Sequence, residues 1–554
     1  MIAQALGRFA WARFRTAGRD PLRAQAARLR QILRDAAGTE FGREHGFARL
    51  ARIPDPRAMI RAYQHAVPVR DASAMQDDLD AVYGGDWQRL CPDRPLWFAM
   101  TAGSTGRYKY IPVTPQYRRE VGRSSLAFMG ALHAAFPDAR GGRTQFLVGS
   151  AEGGTSPGGV PQGFASGFNY RNLPGVLRRQ FVIPYWVFTL DDPEERAYAA
   201  GRILLDEPHL AVLCAISPVN LINLRRSLDR NADRLIRDVA TGALTVRGRA
   251  AVPGTWRGSA SPARARALGD ALRATGALPN RALFPALRVL VCWQGGNMSY
   301  YLDELRDAFG VADTFEFPIS ASEGVFAIPF RANQPGGILA VRSHFLEFLP
   351  EAGVASSGTA LRADQLEPGR EYRIVVTNAG GLYRYDMEDI VRVSGRFRAT
   401  PVIEFVSKKS RQVSVSNERL TELDVTLAMQ EACRRCRCWF EEFLFVPCTD
   451  RRYRVVLDGT GRQCGSDPAS DGELLTLQVA LDEQLRRCSR GYDFEREDAL
   501  LEPLQMLVTA PGALRAYLQG LQAGALPNAQ IKPMHLTNEF DAHQRFTREA
   551  GYAS

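Results

Sequence analysis

Strand-like and helix-like patterns alternate along this chain, and turns rich in glycine and proline separate them. The apolar run Ala-Leu-Arg-Val-Leu-Val-Cys at 286–292 is typical of a buried strand, and the spacing of apolar residues at 24–36 is helical. Alternation of this kind indicates an α/β fold, in which helices pack against sheets. The same reasoning predicts strands at 337–341, 371–377 and 402–406 and helices at 218–240 and 263–274.

The pattern changes near residue 408, where the short polar segment 407–412 joins two parts of the chain. The second part is long enough for a small α/β domain, and a short polar hinge lets two domains rotate while they stay close. We therefore predict a large N-terminal domain over 1–407 and a small, mobile C-terminal lid domain over 408–554. The lid is expected to contain strands at 443–446, 453–457 and 505–509 and helices at 472–487 and 511–522.

The lysines are the most informative charged residues, because only four of the 70 lysine and arginine residues are lysines. They are Lys109, Lys408, Lys409 and Lys532. Lysine is a compact, mobile point charge, and the wide guanidinium of arginine cannot always replace it beside a phosphate or a small reacting group. Lys109 follows a hydroxyl-rich loop and Lys532 stands near the C-terminus, so both are candidates for phosphate chemistry.

Composition limits the partners of the chain. The net charge of +10 suits small anionic substrates, and the scattered arginines argue against a nucleic-acid interface. Nine widely spaced cysteines argue for a reducing cytoplasm rather than a disulfide framework. Three of them, Cys433, Cys436 and Cys438, lie close together, but no second cysteine or histidine pair follows at zinc-site spacing. We therefore assign these three to a basic helix. Residues 1–18 have no continuous apolar region, which argues against a membrane span and favours a helix docked on the core.

The first candidate site is Thr101-Ala-Gly-Ser-Thr-Gly, which follows an apolar run. Glycines let backbone N–H groups turn toward an anion, Ser104 and Thr105 offer hydroxyls, and Lys109 adds a cation. The segment lacks the Gly-Lys-Ser/Thr of the Walker loop. Taken alone, it fits a flexible surface turn as well as a phosphate-cradling loop.

Two acidic segments are the other candidates. Glu323 lies between a serine and a glycine, where it could ligate magnesium, which prefers oxygen ligands, or cap a helix. Asp386, Glu388 and Asp389 precede a predicted strand, where a carboxylate could accept both ribose hydroxyls of a nucleotide or face solvent in a turn. The usual hydrolase, metalloprotease and dinucleotide motifs do not occur in the sequence, and its seven histidines stand apart.

Taken in order, these segments resemble the acyl-acid amido synthetases best known from plants, where they conjugate auxin or jasmonate to amino acids. That family belongs to the adenylate-forming superfamily. The resemblance covers nearly the whole chain, and the arginine-rich composition favours a bacterial member. The matching segments are Thr39-Glu-Phe-Gly-Arg-Glu-His-Gly-Phe47, Val67-Pro-Val69, 98–114, Ser322-Glu-Gly324, Phe348-Leu-Pro350, 383–391, Phe405-Val-Ser-Lys-Lys409 and Gln530-Ile-Lys-Pro533.

The resemblance implies a two-step ligase. A carboxylic acid would attack the α-phosphorus of ATP, which releases pyrophosphate and leaves an acyl adenylate. An amine, expected to be an amino acid, would then attack the activated carbonyl to give an amide and AMP. The implied cofactors are ATP and Mg²⁺, the fold is a large adenylate-forming domain of mixed β-sheets and flanking helices with a small mobile lid, and the enzyme is expected to be a cytoplasmic monomer.

The resemblance also implies the role of each candidate residue. Those that would hold the ATP phosphates are Thr101, Ser104, Thr105 and Lys109. Ser322 and Glu323 would lie beside the α-phosphate, with Glu323 on the magnesium ion, and Asp389 would hold the ribose. Lys408 takes the place of an arginine expected near the hinge, and Lys532 would swing in to neutralise charge at the α-phosphate.

Four residues depart from the family pattern. Ala102 replaces a usual serine, Ile319 stands where a tyrosine often packs on adenine, Asp386 replaces an arginine, and Glu388 replaces a glycine, where a side chain would strain the turn. Two alternatives therefore stay open. One is a ligase that passes the same adenylate to a thiol of coenzyme A or a carrier protein, and the other is a nucleotide-binding protein without catalysis. Candidates for the acyl pocket, with core packing as the alternative, are Tyr170, Trp186 and Trp293.

Overall fold

The computed structural model describes residues 2–102, 108–173, 175–178, 180–246, 256, 258–351, 360–409, 412–459, 471–523 and 533–547. Within them the chain forms two compact units. The first contains residues 2–294 and 302–405, and the second contains residues 295–301 and the described residues from 406 onward. This division falls two residues before the boundary expected from the sequence. The roles of the two parts as substrate-binding domain and lid remain predictions.

The strands of the first unit form sheets of three, eight and four strands, and those of the second unit form sheets of two and three. Their bounds are β1 (Trp97–Ala102), β2 (Tyr108–Val113), β3 (Arg143–Phe146), β4 (Gln162–Gly163), β5 (Leu210–Cys214), β6 (Val289–Cys292), β7 (Thr314–Glu316), β8 (Ile319–Ala321), β9 (Gly324–Ile328), β10 (Gly337–Leu339), β11 (Phe345–Pro350), β12 (Leu361–Arg362), β13 (Glu371–Thr377), β14 (Tyr385–Phe397), β15 (Thr400–Lys408), β16 (Gln412–Val413), β17 (Leu420–Thr421), β18 (Phe443–Cys448), β19 (Arg452–Leu457) and β20 (Gln505–Val508).

Helices lie between the strands in both units, and several begin at a capping residue followed by proline. Asp20 accepts the backbone N–H of Arg23, and Thr114 accepts that of Tyr117, which satisfies a donor that a helix start leaves free. The helices are α1 (Ile2–Ala17), α2 (Pro21–Asp35), α3 (Glu40–Glu44), α4 (Phe47–Leu50), α5 (Pro56–Ala66), α6 (Gln76–Gly84), α7 (Pro115–Ala135), α8 (Ala165–Arg171), α9 (Gly175–Arg178), α10 (Pro193–Leu205), α11 (Pro218–Arg230), α12 (Ala232–Thr241), α13 (Pro262–Thr275), α14 (Asn280–Leu283), α15 (Leu302–Phe309), α16 (Glu422–Cys436), α17 (Asp471–Cys488), α18 (Arg490–Glu497), α19 (Ala513–Ala523) and α20 (Gln544–Thr547).

The four-stranded sheet has the order β3-β5-β6-β7, and its neighbours are parallel. Every residue of β5 and β6 is buried. Parallel strands that are covered on both faces have continuous apolar sequences, which is why the run 286–292 predicts a buried strand. The strand β6 forms at the end of this run, at Val289–Cys292. The eight-stranded sheet has the order β12-β11-β13-β14-β15-β10-β9-β8, and β13 pairs with β14 antiparallel. The predicted α/β architecture is confirmed.

The N-terminal helix α1 docks on the core, as predicted. Trp11 and Phe14 are buried in a cluster that includes residues of α7. The two helices approach closely at a pair of glycines, because a Cβ atom added to Gly130 would lie 2.1 Å from the carbonyl oxygen of Gly7. Close backbone contact of this kind leaves no room for a side chain.

One predicted helix is wrong in its length. The span 218–240 forms two helices, α11 and α12, which are separated at Asn231. The Asn231 side-chain amide donates to the backbone oxygen of Ser227 at 2.9 Å and to Glu194 at 2.8 Å. An asparagine that bonds nearby backbone in this way competes with the helical ladder, so the helix ends there.

Candidate active site

The two strands that flank the predicted phosphate loop, β1 and β2, pair in the first unit. Strands β1 and β2 are antiparallel, and Thr101 lies directly opposite Lys109. Opposed residues of an antiparallel pair have Cβ atoms about 5 Å apart, so the two side chains leave the sheet on the same face. Ser104 and Thr105 lie in 103–107, outside the described residues.

Lys109 contacts the start of β14. Its Nζ atom lies 3.3 Å from the hydroxyl of Tyr385 and 6.0 Å from the centre of the tyrosine ring. Tyr385 is buried, whereas Lys109 is half-buried. This contact joins the phosphate hairpin to the strand that carries Asp389.

Glu323 occupies the two-residue turn between β8 and β9, where Ala321 pairs with Gly324. The helix-cap alternative is wrong, because the turn joins two strands. Although it lies in a turn, Glu323 is only 7% exposed. Tyr117 donates its hydroxyl to the backbone oxygen of Ser322 at 2.7 Å. Asn378 donates its amide to the backbone oxygen of Glu323, also at 2.7 Å. These two bonds fix the backbone of the turn and therefore the direction of its carboxylate.

His344 holds the strand that leaves this turn. Its Nε2 atom accepts the backbone N–H of Val325 at 3.1 Å. Burial lowers the pKa of His344, against the opposing charge of Glu120, so the ring is neutral and can accept this bond. A Cβ atom added to Gly324 would lie 2.6 Å from the ring, so only glycine fits at this point of the Ser-Glu-Gly segment.

A bulge in β14 presents the second acidic segment. The pairs Val375–Asp386 and Arg373–Ile390 flank it, so three residues of β14 face a single residue of β13. Glu388 lies within the bulge at a φ of 57°, a left-handed conformation that a glycine would adopt more easily. The strain expected from a side chain at this position is therefore confirmed. Bulges bend a strand and re-aim its side chains, and they are frequent beside active sites.

The acidic residues lie inside β14, so the prediction that they precede a strand is wrong. Asp386 stabilises the bulge itself, because Oδ1 accepts the backbone N–H of Glu388 at 3.0 Å and Oδ2 lies 3.0 Å from Nε of Arg373. Asp389 is 9% exposed, which excludes the alternative of a solvated turn. Asp386 is thus a structural residue, and Asp389 is the buried carboxylate that the bulge presents.

Both acidic segments act electrostatically on the Tyr385 hydroxyl. Burial raises the pKa of its hydroxyl, and the negative charges of Glu323, Glu388, Asp389 and Asp386 raise it further, in that order. Charges on two different hairpins therefore disfavour the ionised form of this phenol. The first unit therefore has an ammonium group in contact with one buried tyrosine and several carboxylates whose charges act on it.

Sequence reasoning missed two residues of this arrangement. Tyr385 lies inside the acidic segment 383–391, but the sequence pattern assigns it no role. Asn378 is fully buried after β13, where its Oδ1 accepts the backbone N–H groups of Gly380 at 2.8 Å and Leu382 at 3.3 Å. The sequence feature that could have identified Asn378 is its position between a strand and a Gly-Gly turn.

The structure says little about the roles of the remaining candidates. Lys408 is the last residue of β15, half-buried, and belongs to the second unit, whereas Lys532 lies outside the described residues. Ile319 is buried among core residues of the first unit. The roles expected for Lys408 and Lys532 therefore remain predictions.

Two of the three candidates for the acyl pocket hydrogen-bond to backbone oxygens. The Tyr170 hydroxyl donates to Ile183 at 2.7 Å, and the Trp293 indole donates to Pro318 at 3.1 Å. Such bonds are those of packed core residues. Trp186 is half-buried in a short 3₁₀ helix.

Comparison with known proteins identifies two regions of the chain. Residues 10–313 match the model of the GH3 family N-terminal domain, and residues 337–408 match that of the GH3 family central domain. Jasmonoyl--L-amino acid synthetase GH3.5 of Oryza sativa subsp. japonica is 24% identical over 90% of this chain and 89% of its own length. Indole-3-acetic acid-amido synthetase GH3.8 of Oryza sativa subsp. indica is 23% identical over 92% of this chain and 87% of its own length.

A solved structure has the same fold. The acyl acid amido synthetase AtGH3.15, in complex with 2,4-DB, superposes with a TM-score of 0.82 at 17% identity, and covers 98% of this chain and 96% of its own. Among the helices that the structure describes, none is long and apolar enough to cross a membrane.

Proposed function

Because the chain belongs to the GH3 family and is an adenylate-forming acyl acid amido synthetase, we propose that it joins a carboxylic acid to an amino acid in two half-reactions. In the first, a carboxylate oxygen bonds to the α-phosphorus of ATP and the bond to pyrophosphate breaks. In the second, the amine nitrogen bonds to the acyl carbon, the bond to AMP breaks, and the nitrogen loses a proton to solvent. The relatives named above support the amide over the thioester product.

The set of charged groups that act on Tyr385 carries this proposal. Lys109 offers a point charge and Thr101 a hydroxyl on one hairpin, as phosphate binding needs. Asp389 is a buried carboxylate that can accept two ribose hydroxyls. Charge on the transferring phosphate is then stabilised by groups held in place before the reaction begins.

Glu323 is the residue that fits Mg²⁺. The ion prefers hard oxygen ligands and is usually bound by one or two carboxylates together with substrate phosphates. The Glu323 carboxylate is buried, its backbone is fixed by Tyr117 and Asn378, and its charge acts on the phenol that Lys109 contacts. Bound there, the ion would neutralise charge on the phosphates.

Other parts of the proposal rest on the family pattern. Ser104 and Thr105 complete the phosphate loop, Ser322 lies beside the α-phosphate, and Lys408 and Lys532 act from the second unit after rotation at 407–412. Rotation of this kind separates two half-reactions in one enzyme. The substrates are a small carboxylic acid and an amino acid. A cytoplasmic location agrees with the cysteines of the described residues, which are free thiols.

The test begins with ATP–pyrophosphate exchange over a panel of carboxylic acids with Mg²⁺. Glu323→Gln keeps the size of the side chain and removes its charge, so exchange should fall by about 10²–10³ while the melting temperature stays unchanged. Glu404→Gln, on β15 of the same unit, is the control and should exchange normally. A lower melting temperature with full exchange would make Glu323 a purely structural residue.

The product decides between the two ligase alternatives. With the best acid, we expect the mass of the amide when amino acids are supplied and no acyl thioester when coenzyme A is supplied. ATP binding without pyrophosphate release for any acid would support the non-catalytic alternative and overturn the proposal.

A further inference from the structure

The C-terminal segment of the second unit lies along the edge of its three-stranded sheet. Leu536 pairs with Phe445 of β18 in parallel, and Phe445 donates its N–H to the His535 oxygen at 2.8 Å. Further along, the N–H of Asp541 donates to the oxygen of Pro447 at 2.9 Å. The segment therefore continues the sheet and carries its own side chains to the end of β18.

This docking brings Cys448 to two side chains of the C-terminal segment, Asp541 and His543. A sulfur atom of Cys448, a carboxylate oxygen of Asp541 and a ring nitrogen of His543 all lie within 4.8 Å of one another. Cys448 is fully buried and His543 is 9% exposed. His543, which shows no metal-binding motif in the sequence, therefore lies beside a cysteine that is distant in the sequence.

The spacing of these atoms fits one metal ion. Cys448 Sγ lies 3.5 Å from His543 Nδ1. A sulfur at about 2.3 Å and a nitrogen at about 2.1 Å from a tetrahedral zinc ion are separated by about 3.6 Å. Thiolate and imidazole ligands favour zinc over magnesium or calcium, which take hard oxygen ligands.

The carboxylate of this group is held in place. Thr449 donates its N–H to Oδ1 of Asp541 at 3.3 Å and its hydroxyl to Oδ2 at 2.8 Å. Asp541 also has a φ of 57°, a left-handed conformation that is uncommon for a residue other than glycine. Such conformations persist only where the surroundings enforce them, and they are frequent at ligand sites.

One positive charge lies beside the group. The Arg454 guanidinium acts on both Cys448 and His543. It is itself bound by the carboxylate of Asp450 at 2.7 and 3.1 Å, and this ion pair offsets its charge. A thiolate and a carboxylate would add two negative charges, which leaves the group attractive to a divalent cation.

We propose that Cys448, Asp541 and His543 form a zinc site that fastens the C-terminal segment to β18. On binding, the Cys448 thiol loses its proton to solvent, the Zn–S, Zn–N and Zn–O bonds form, and water takes the fourth position. The site is separate from the magnesium residue Glu323, which belongs to the first unit. Asp541 and His543 follow Lys532 in the sequence, so the site would stabilise the part of the second unit to which this lysine belongs.

The test uses the full chain, stripped with a chelator and titrated with Zn²⁺ or with Co²⁺ as a spectroscopic probe. We expect one equivalent of tightly bound zinc, a Co²⁺–thiolate charge-transfer band, and stronger protection of 533–547 against hydrogen exchange in the loaded protein. Cys448→Ser and His543→Ala should lose the band and the tight equivalent. Cys488→Ser, an exposed cysteine outside the group, is the matched control and should keep both.

A milder variant keeps the test decisive if a ligand variant does not fold. Thr449→Val leaves all three ligands and removes the hydroxyl that orients Asp541, so zinc affinity should fall by about 10- to 100-fold. Equal zinc binding in the wild type, Cys448→Ser and His543→Ala would overturn the site. So would the absence of tight zinc in the folded wild type, which would leave only a thiol–imidazole hydrogen bond.

Discussion

Asn378→Ala tests whether the buried turn after β13 positions Glu323, the proposed magnesium ligand. The side chain makes three hydrogen bonds, one to the backbone oxygen of Glu323 at 2.7 Å and two from Gly380 and Leu382 at 2.8 and 3.3 Å. At about 1 kcal/mol net for each, their loss should lower the free energy of unfolding by about 3 kcal/mol. For a unit of this size, that corresponds to a melting temperature lower by about 4 °C.

The effect on activity should exceed the effect on stability. Without the Asn378 amide, the Glu323 turn loses one of its two fixed backbone bonds, and a misplacement of about 1 Å can reduce a rate by about 10²-fold. We expect Mg²⁺-dependent ATP–pyrophosphate exchange to fall by about 10- to 100-fold at a temperature where the variant is folded. The assay is exchange per folded molecule, with folding measured by circular dichroism.

Asn333→Ala is the matched control. Its side chain also makes three hydrogen bonds in the first unit, two from Thr314 and one to Asp313, and none of them reaches Glu323. It should destabilise the protein while exchange per folded molecule is retained. If Asn378→Ala and Asn333→Ala lose the same activity, Asn378 supports only the general fold and the positioning argument fails.

Three further predictions concern other residues. Asp389→Ala should weaken ATP binding by about 10- to 150-fold, the loss of a hydrogen bond to a charged group of about 1.5–3 kcal/mol, and unchanged affinity in calorimetry would remove Asp389 from the site. Lys532→Ala should slow adenylate formation by about 10²- to 10³-fold and should slow amide formation from supplied acyl adenylate by less. An equal loss in both half-reactions would indicate that Lys532 supports only the docking of the second unit. Because burial lowers the folded-state pKa of His344 below 6.5, its contribution to stability is present above that pH and is lost as the pH falls. Denaturant titrations from about pH 7 to 5 should therefore show a smaller loss for His344→Gln than for the wild type, and equal slopes would contradict this.

Local patterns in the sequence determined the elements of this fold well. The buried run of β6, the whole of β13 and the helices α2 and α13 follow from the spacing of apolar residues, which depends only on near neighbours. The pattern of apolar residues does not predict the split between α11 and α12, because it depends on the side-chain bonds of Asn231 to the backbone of Ser227 and to Glu194 on another helix.

Individual residues of the candidate site could also be predicted from the sequence. Lys109 and Glu323 were chosen for their charges and their glycine- and serine-rich surroundings, and both act on Tyr385. The sequence left the alternatives of helix cap and solvated turn open, because a carboxylate in a short polar segment has the same local pattern in each case.

Only the tertiary structure decided which of these groups meet. Lys109 and Tyr385 are 276 residues apart, and Cys448 and His543 are 95 apart. Such pairs depend on strand register, on a bulge whose extra residues shift every side chain that follows, and on the docking of a terminal segment. Long-range pairing sets these features, and no local period of the sequence encodes it.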